Sequence, residues 1–196
     1  MNNALTELVC VIDRSGSMQS IRDDAIGGFN AFLDSQKQGE GDARLTLVFF
    51  NHEYGLVHNA APIESVDPLT TETFVPRGNT ALLDAVGRTI DDVGARLAET
   101  PEAERPGTVL VCILTDGLEN ASSDYTRDRV KSMIEHQQSK YGWGFQFLAA
   151  NQDAFAEAGS IGIAPVNAMP FVANAEGTKA AFAQVSARAT KARSKK

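Results

Sequence analysis

Four short runs of residues that are apolar on both faces constrain the fold more than any other feature of this sequence. They cover residues 6–12, 44–50, 108–114 and 144–149. Strands of this kind are typical of a parallel sheet that is covered by helices on both sides. A further strand at residues 54–58 follows the second run after only Asn51-His52-Glu53. This spacing favours a hairpin and predicts one short antiparallel strand at an edge of the sheet.

Helical patterns lie between these runs. Apolar residues recur at helical spacing within residues 18–33, 82–97 and 130–134, and residues 175–193 are good helix formers throughout. The alternation predicts an α/β, Rossmann-like fold with a doubly wound, mostly parallel central sheet and helices on both faces. We expect one domain over residues 1–190, followed by a basic, disordered tail at residues 191–196.

Composition narrows the class of protein. The net charge of −7, from 25 acidic and 18 basic residues, argues against nucleic acid or an anionic membrane as the main partner. The N-terminus has no basic region before its apolar run, and no apolar stretch approaches the roughly 20 residues of a membrane span. We therefore expect a cytoplasmic protein. Cys10 and Cys112 lie inside apolar runs, and we interpret them as buried thiols rather than a disulfide framework.

Polar residues with metal-binding chemistry follow the predicted strands. In open α/β sheets, ligands bind beyond the carboxyl ends of the strands. The first run ends at Asp13, with Ser15 and Ser17 at a spacing of two; the third run is followed by Asp116; and Thr80 precedes a predicted helix. Two carboxylates and three hydroxyls form an all-oxygen set that suits a hard cation, Mg²⁺ by preference, with Mn²⁺ or Ca²⁺ as alternatives.

Each of these residues also has a purely structural interpretation. Ser17 and Thr80 are suitable helix caps, and Asp116-Gly117 is a common turn dipeptide. Asn151-Gln152-Asp153 follows the fourth run at the same edge, and we interpret it as the cap of the next helix rather than as part of a site.

Further candidates for contact with a partner are Arg14, Glu119 and Asn120, although a solvated surface role is an alternative for each. Trp143 begins the fourth run and is interpreted as a packing residue. The histidines show no ligand spacing and are expected at the surface; they are His52, His58 and His136.

The combined pattern resembles a known family. Asp13-x-Ser15-x-Ser17, followed by Thr80 and Asp116, is similar to the metal-ion-dependent adhesion site of the von Willebrand factor type A family. The segments 12–18, 78–82 and 115–117 carry the resemblance. It implies that Ser15 and Ser17 bind the ion directly, that Thr80 binds when a ligand is present, and that Asp13 and Asp116 bind directly or through water. It also implies that an acidic side chain of a partner protein completes the coordination, and in some relatives the C-terminal helix moves.

The resulting prediction is a metal-dependent protein-binding module and not an enzyme, because the motif loops hold no His, Cys or Lys that could act as base or nucleophile. One alternative is a Mg²⁺-dependent phosphoryl hydrolase with Asp13 as nucleophile, resembling the haloacid-dehalogenase-like phosphatases. Those enzymes have a second Asp where this chain has Ser15. Another alternative is a subunit of an ATPase-linked assembly. The sequence does not determine the partner, its pathway or the oligomeric state.

Overall fold

The computed structural model describes residues 1–150 and 153–194, and six strands within them form one sheet. The strands are Asn2–Asp13 (β1), Asp42–Phe50 (β2), Tyr54–Pro62 (β3), Pro106–Thr115 (β4), Gly144–Ala150 (β5) and Ala168–Phe171 (β6). Their order in the sheet is β3-β2-β1-β4-β5-β6, and every neighbouring pair is parallel except β2 and β3. The predicted α/β class and the antiparallel edge strand are confirmed, although β3 is longer than residues 54–58.

The chain reverses its direction of travel across the sheet at β1. It moves from β1 to β2 and β3 on one side and then returns to place β4 on the other side. Ligands of open α/β sheets bind at such switch points, beyond the carboxyl ends of the strands. The ends of β1 and β4, at Asp13 and Thr115, are therefore the expected location of a site.

Five α-helices within the described residues cover the two faces of the sheet. They are Arg22–Lys37 (α1), Leu82–Glu99 (α2), Arg127–Tyr141 (α3), Ala154–Ser160 (α4) and Ala175–Arg193 (α5), with a 3₁₀ turn at Gly16–Ile21 before α1. Residues of α1 and α5 share one apolar cluster with Cys10 and Ile12, whereas α2, α3 and α4 share the other with Val9 and Val11. Because successive strand residues point to opposite faces, a continuous apolar run is needed to fill both clusters.

The interpretations of the cysteines and of Trp143 are confirmed. Cys10 and Cys112 are free, buried and opposite one another on β1 and β4. Burial raises the pKa of Cys10 to about 12 and raises that of Cys112 well above its ordinary value. Both thiols therefore remain neutral members of the core. Trp143 is buried and stacks on Phe145 with ring centroids 6.3 Å apart.

The C-terminal helix spans Ala175–Arg193, as the helix formers of residues 175–193 predicted, so residues 191–193 do not belong to a disordered tail. It continues through Arg193, whose buried guanidinium donates to the carbonyl groups of Gln36, Gly39 and Gly41. These carbonyls lie at and after the end of α1, where helix carbonyls lack intrahelical partners. Residues 191–193 thus belong to the packed helix, and Lys195 and Lys196 lie outside the described residues.

The short strand β6 was not predicted, and α4 was expected only as the helix that residues 151–153 would cap. Asp153 caps α4 by accepting from the N–H groups of Phe155 and Ala156, which confirms its interpretation as a cap. Asn151 and Gln152 lie outside the described residues. None of the helices described is long and apolar enough to cross a membrane.

Candidate metal centre

The ends of β1 and β4 bring the predicted metal-binding residues together. Ile12 lies opposite Leu114 in the register of these strands, so the loops that follow them begin side by side. Ser15 Oγ lies 3.1 Å from Ser17 Oγ, and Ser17 Oγ donates a 2.6 Å hydrogen bond to Asp116 Oδ1. Two hydroxyls and one carboxylate thus form a continuous chain of oxygen atoms.

Thr80 joins this group from a third loop. A Cβ atom placed on Gly117 would lie 2.9 Å from Thr80 Oγ1, 3.3 Å from Ser17 Oγ and 3.7 Å from Ser15 Oγ. All three hydroxyl oxygens therefore lie within 3.7 Å of a single point beside Gly117. Residues from three separate parts of the sequence converge as the spacing of the motif predicted.

Asp13 lies at the base of the cluster and is fully buried. Its Oδ1 accepts a 2.7 Å hydrogen bond from the Ser15 N–H, and its Oδ2 accepts a 2.6 Å hydrogen bond from the Thr115 hydroxyl. The carboxylate therefore fixes the turn that carries Ser15 and links it to the end of β4. Sequence reasoning did not single out Thr115, because its role depends on the register of two strands.

Both carboxyl groups are electrostatically suited to a cation. Burial raises the pKa of Asp13 to about 6, against the lowering effect of the hydrogen bonds from Thr115 and Ser15, and the charge of Asp116 raises it further. Burial also raises the pKa of Asp116, against the effect of the Ser17 hydroxyl. Two buried carboxylates close to one another favour a positive charge between them.

One oxygen of the cluster has no partner within the described chain. Asp116 Oδ2 is buried and accepts no hydrogen bond there. A buried acceptor without a donor is costly, by about 1–3 kcal/mol. A bound cation would remove this cost, and hydroxyl and carboxylate oxygens are the ligands that hard divalent ions prefer. The residues present therefore fit a divalent ion.

The alternative role of Ser17 and Thr80 as helix caps is not observed. The cap position of α1 is Ile21 and that of α2 is Ala81, and neither has a side-chain capping bond. Instead, Ser17 donates to Asp116, and the Thr80 hydroxyl points toward the same cluster.

Asn120 holds the Thr80 backbone in place. Asn120 Oδ1 accepts a hydrogen bond from the Thr80 N–H, and the Asn120 N–H donates to the Thr80 carbonyl, both at 3.0 Å. The same loop is tied to the first by a 2.9 Å bond from the Gly16 N–H to the Gly78 carbonyl. Gly78 has a φ of 74° and lies against the His52 ring, so a side chain there would be strained and would also collide with that ring.

The Glu119 carboxylate accepts several hydrogen bonds from within the protein. The donors are the N–H groups of Leu83, Ala121 and Ser122 and the Ser122 hydroxyl. The Leu83 N–H lies in the first turn of α2, where N–H groups lack partners within the helix. Contact between Glu119 and a partner protein stays a prediction.

The Arg14 side chain extends toward the start of β3. Its Nη2 lies 3.9 Å from Glu53 Oε2, and burial lowers its pKa. Arg14 is thus placed beside the cluster rather than within it.

Histidine and cysteine have no part in this centre. His52 and His136 are exposed, and His58 is half-buried. Within residues 1–150 and 153–194, no group of three or more His, Cys, Asp or Glu side chains is arranged to hold an ion. A metal at this edge would therefore depend on the hydroxyl oxygens as well as on the two carboxylates.

Comparison with known proteins reveals similarity at the level of structure. No family model matches the sequence, and no curated protein matches it. The vWF domain of the type V pili tip protein Mfa5 from Porphyromonas gingivalis superposes with a TM-score of 0.67 at 13% identity, covering 100% of this chain and 98% of that one. Proximal thread matrix protein 1 from the mussel byssus, with a zinc-occupied MIDAS motif, gives 0.64 at 16% identity, covering 97% and 47%. A von Willebrand factor type A protein from Catenulispora acidiphila gives 0.64 at 17%, covering 100% and 43%.

These identities bear on the fold and not on a shared activity. The chain spans about half the length of the mussel protein, so the activity of that whole protein does not transfer. The strand order, the mixed sheet and the three superpositions agree with one another. The protein has the fold of a von Willebrand factor type A domain.

Proposed function

We propose that this protein is a metal-dependent protein-binding module. One divalent cation would be held by five residues: Asp13, Ser15, Ser17, Thr80 and Asp116. The observation that carries the proposal is the buried, unpartnered Oδ2 of Asp116 beside three converging hydroxyl oxygens. The helix-cap roles considered for Ser17 and Thr80 do not account for that arrangement.

The partner would contribute an acidic side chain. A bound divalent ion would supply a Lewis acid that accepts an outside oxygen ligand. Ser15, Ser17 and Thr80 are neutral, so they hold an ion without cancelling its charge. Asp13 supports the turn, since both of its oxygens already accept hydrogen bonds.

Magnesium is the ion that the donor set favours, because hard oxygen ligands suit it. A similar structure carries zinc in a MIDAS motif, so zinc belongs in the test together with manganese and calcium.

The arrangement weighs against the hydrolase alternative. A nucleophilic Asp13 would need an oxygen directed at the substrate, but this side chain is fully buried and both of its oxygens are engaged. A role inside an ATPase-linked assembly in the cytoplasm is compatible with the binding chemistry, because it specifies the partner rather than the site.

Calorimetric titration of each ion into chelator-treated protein tests the site. We expect one ion to bind per chain and binding to be lost in Asp116→Asn, which keeps the size of the side chain but removes its charge. A thermal melt of the variant checks that it folds. An unchanged ion affinity in Asp116→Asn would exclude this centre.

Selection from a displayed library of random peptides tests the partner chemistry. The protein is immobilised with Mg²⁺, and bound peptides are released with EDTA. Peptides that carry at least one Asp or Glu are expected to be enriched. Failure to recover any EDTA-released peptide, although the ion binds, would contradict a binding function of this centre.

A further inference from the structure

A second group of charged residues includes close sequence neighbours of the candidate metal centre. Arg77 Nη2 lies 3.0 Å from Glu53 Oε2, and Arg14 Nη2 lies 3.9 Å from the same oxygen. The side chains of Arg77 and Glu53 are 61% and 53% exposed, whereas that of Arg14 is 20% exposed. Two guanidinium groups thus share one carboxylate at the surface. We call Arg14 and Arg77 the arginine pair.

The donors of Arg14 are largely unused. A guanidinium has five N–H donors, but that of Arg14 makes no hydrogen bond to any residue in the described part of the chain, and its Nε is buried without an acceptor. Its distance of 3.9 Å from Glu53 exceeds that of a hydrogen bond. The arginine pair therefore has one positive charge in excess and unsatisfied donors.

Backbone hydrogen bonds hold the arginine pair in position. The Arg77 N–H donates to the Arg14 carbonyl at 2.8 Å, and the Arg14 N–H donates to the Phe50 carbonyl at 2.7 Å. The Arg77 carbonyl accepts from Nδ2 of Asn51, a fully buried residue, at 2.8 Å. These bonds fix the backbone from which both guanidinium groups extend.

The arginine pair is also close to the proposed ion ligands along the chain. Arg14 lies between Asp13 and Ser15, and Arg77 precedes Thr80 by three residues. Consecutive Cα atoms are about 3.8 Å apart, so the Cα atom of Arg77 lies within about 11 Å of that of Thr80. An extended peptide covers this distance in about three residues.

We propose that the arginine pair forms a second anion-binding subsite, so that the partner presents two carboxylates, one to the ion and one to Arg14 and Arg77. This inference rests on the proposed function of the neighbouring centre. Glu53 is the internal counter-ion of the subsite and competes with the second carboxylate of the partner. The partner is therefore an acidic protein segment that carries at least two acidic residues.

An internal ion pair alone does not account for these observations. Exposed pairs contribute about 0–1 kcal/mol to stability, and a single carboxylate leaves half of the local positive charge unpaired. A second carboxylate from outside would balance that charge and supply acceptors for Arg14.

The test uses the strongest peptide that EDTA releases from the display selection. Each of its acidic residues is replaced singly by Gln or Asn, and affinity is measured with Mg²⁺ present. We expect one replacement to abolish binding, because it removes the ligand of the ion. A second should weaken binding by about three- to tenfold, as is typical of a partly exposed charge pair.

Protein variants identify the residues that respond to the second acid. In Arg77→Gln and in the double variant Arg14→Gln/Arg77→Gln, the original peptide should bind about three- to tenfold more weakly, and replacement of its second acid should have no further effect. Arg44→Gln is the matched control, because it removes the same charge near the opposite edge of the sheet. Arg77 is exposed, so its single variant remains informative if the double variant folds poorly.

Glu53→Gln gives a result of the opposite sign. Removal of the internal competitor should strengthen binding of the peptide with two acids several-fold and leave the peptide with one acid unchanged. An isolated structural salt bridge would produce no such gain.

The outcomes separate the two proposals. Peptides with a single required acid that bind the arginine variants with unchanged affinity would overturn the second subsite and leave the metal-dependent function intact. An absence of EDTA-released peptides would overturn the metal-dependent function itself. A third outcome concerns a peptide with phosphoserine in place of the second acid. If it bound far more tightly, and only with the arginine pair intact, the occupant of the subsite would be a phosphate and not a carboxylate.

Discussion

Ser17 donates a 2.6 Å hydrogen bond to Asp116 and so joins two residues that are 99 positions apart in the sequence. The bond is possible because β1 and β4 are neighbours in the sheet although β2 and β3 lie between them in the chain. The candidate metal centre therefore exists only when the central strands have paired. Local turn chemistry alone would not bring these oxygens together.

Gly117→Ala should weaken ion binding without unfolding the protein. The added Cβ would lie 2.9 Å from Thr80 Oγ1 and 3.3 Å from Ser17 Oγ, and thus among the hydroxyls that would hold the ion. Contacts this close require the hydroxyls to move apart. We expect at least a tenfold loss of Mg²⁺ affinity in calorimetry, which corresponds to about 1.4 kcal/mol.

Gly27→Ala is the control for this prediction. Gly27 lies within α1, and a Cβ there meets no atom within 4 Å. It should leave Mg²⁺ affinity unchanged and stabilise the helix by about 0.5–1 kcal/mol. Equal Mg²⁺ affinities for the two variants would show that the point beside Gly117 is not where the ion binds.

Three of the residues proposed to hold the ion could be singled out because they lie close together in the sequence, but the residues that support them could not. Asp13, Ser15 and Ser17 lie within one turn, and their position after an apolar run indicates the edge of the sheet. The role of Thr115 could not be predicted, because its hydroxyl donates to Asp13 from the neighbouring strand and the contact depends on the register of β1 and β4. Asn120 likewise contacts Thr80 from a distant loop.

Strands with long apolar runs could be predicted from the sequence, whereas a strand with a short run was missed. The strand β6 has only four residues and contains Pro170, which is tolerated at the edge of a sheet but gives no strand signal. Residues 191–196 were predicted to be a disordered tail because they are basic and terminal, yet three carbonyl groups near the end of α1 accept hydrogen bonds from Arg193. Such tertiary contacts override the local charge pattern.

Asp13→Asn should stabilise the ion-free protein at neutral pH. The folded-state pKa of Asp13 is about 6, against 3.8 for the free group, so the folded state binds the proton more tightly. Protonated Asp13 contributes its full share to the free energy of unfolding below about pH 4. This contribution is lost as the pH rises through about 6. The loss amounts to about 3 kcal/mol at most, and Asn does not undergo it.

Urea denaturation in EDTA between pH 4 and pH 7 measures this difference. The advantage of Asp13→Asn over the original protein should grow from near zero at pH 4 to its full value above pH 6. With Mg²⁺, the original protein should regain stability and the variant should not. A constant difference across the pH range would show that Asp13 is not the group that titrates.

Glu119→Ala should lower stability rather than act on partner binding alone. Its carboxylate accepts from the N–H groups of Leu83, Ala121 and Ser122, and loss of a comparable cap costs about 1–2 kcal/mol. Urea denaturation measures the cost, and affinity for an EDTA-released peptide measures any contact with a partner. Full stability combined with weakened peptide binding would instead assign Glu119 to the partner surface.

Arg96→Met should destabilise the protein strongly without affecting the candidate metal centre. Glu7 is buried on β1, where it accepts from Arg96 and from the Thr46 hydroxyl. Removal of Arg96 leaves a buried carboxylate without its counter-ion, at a cost of about 3–5 kcal/mol. Glu7 precedes Asp13 by six residues of strand, or about 20 Å, so Mg²⁺ affinity should not change.

The double variant Glu7→Leu/Arg96→Met separates charge from packing. Because it removes both charges together and keeps apolar volume, it should recover most of the stability that Arg96→Met loses. Urea denaturation of the three proteins forms the comparison, with Mg²⁺ calorimetry as a check on the opposite edge of the sheet. If the double variant were no more stable than Arg96→Met, the role of Arg96 would be the packing of its side chain on β1 rather than neutralisation of Glu7.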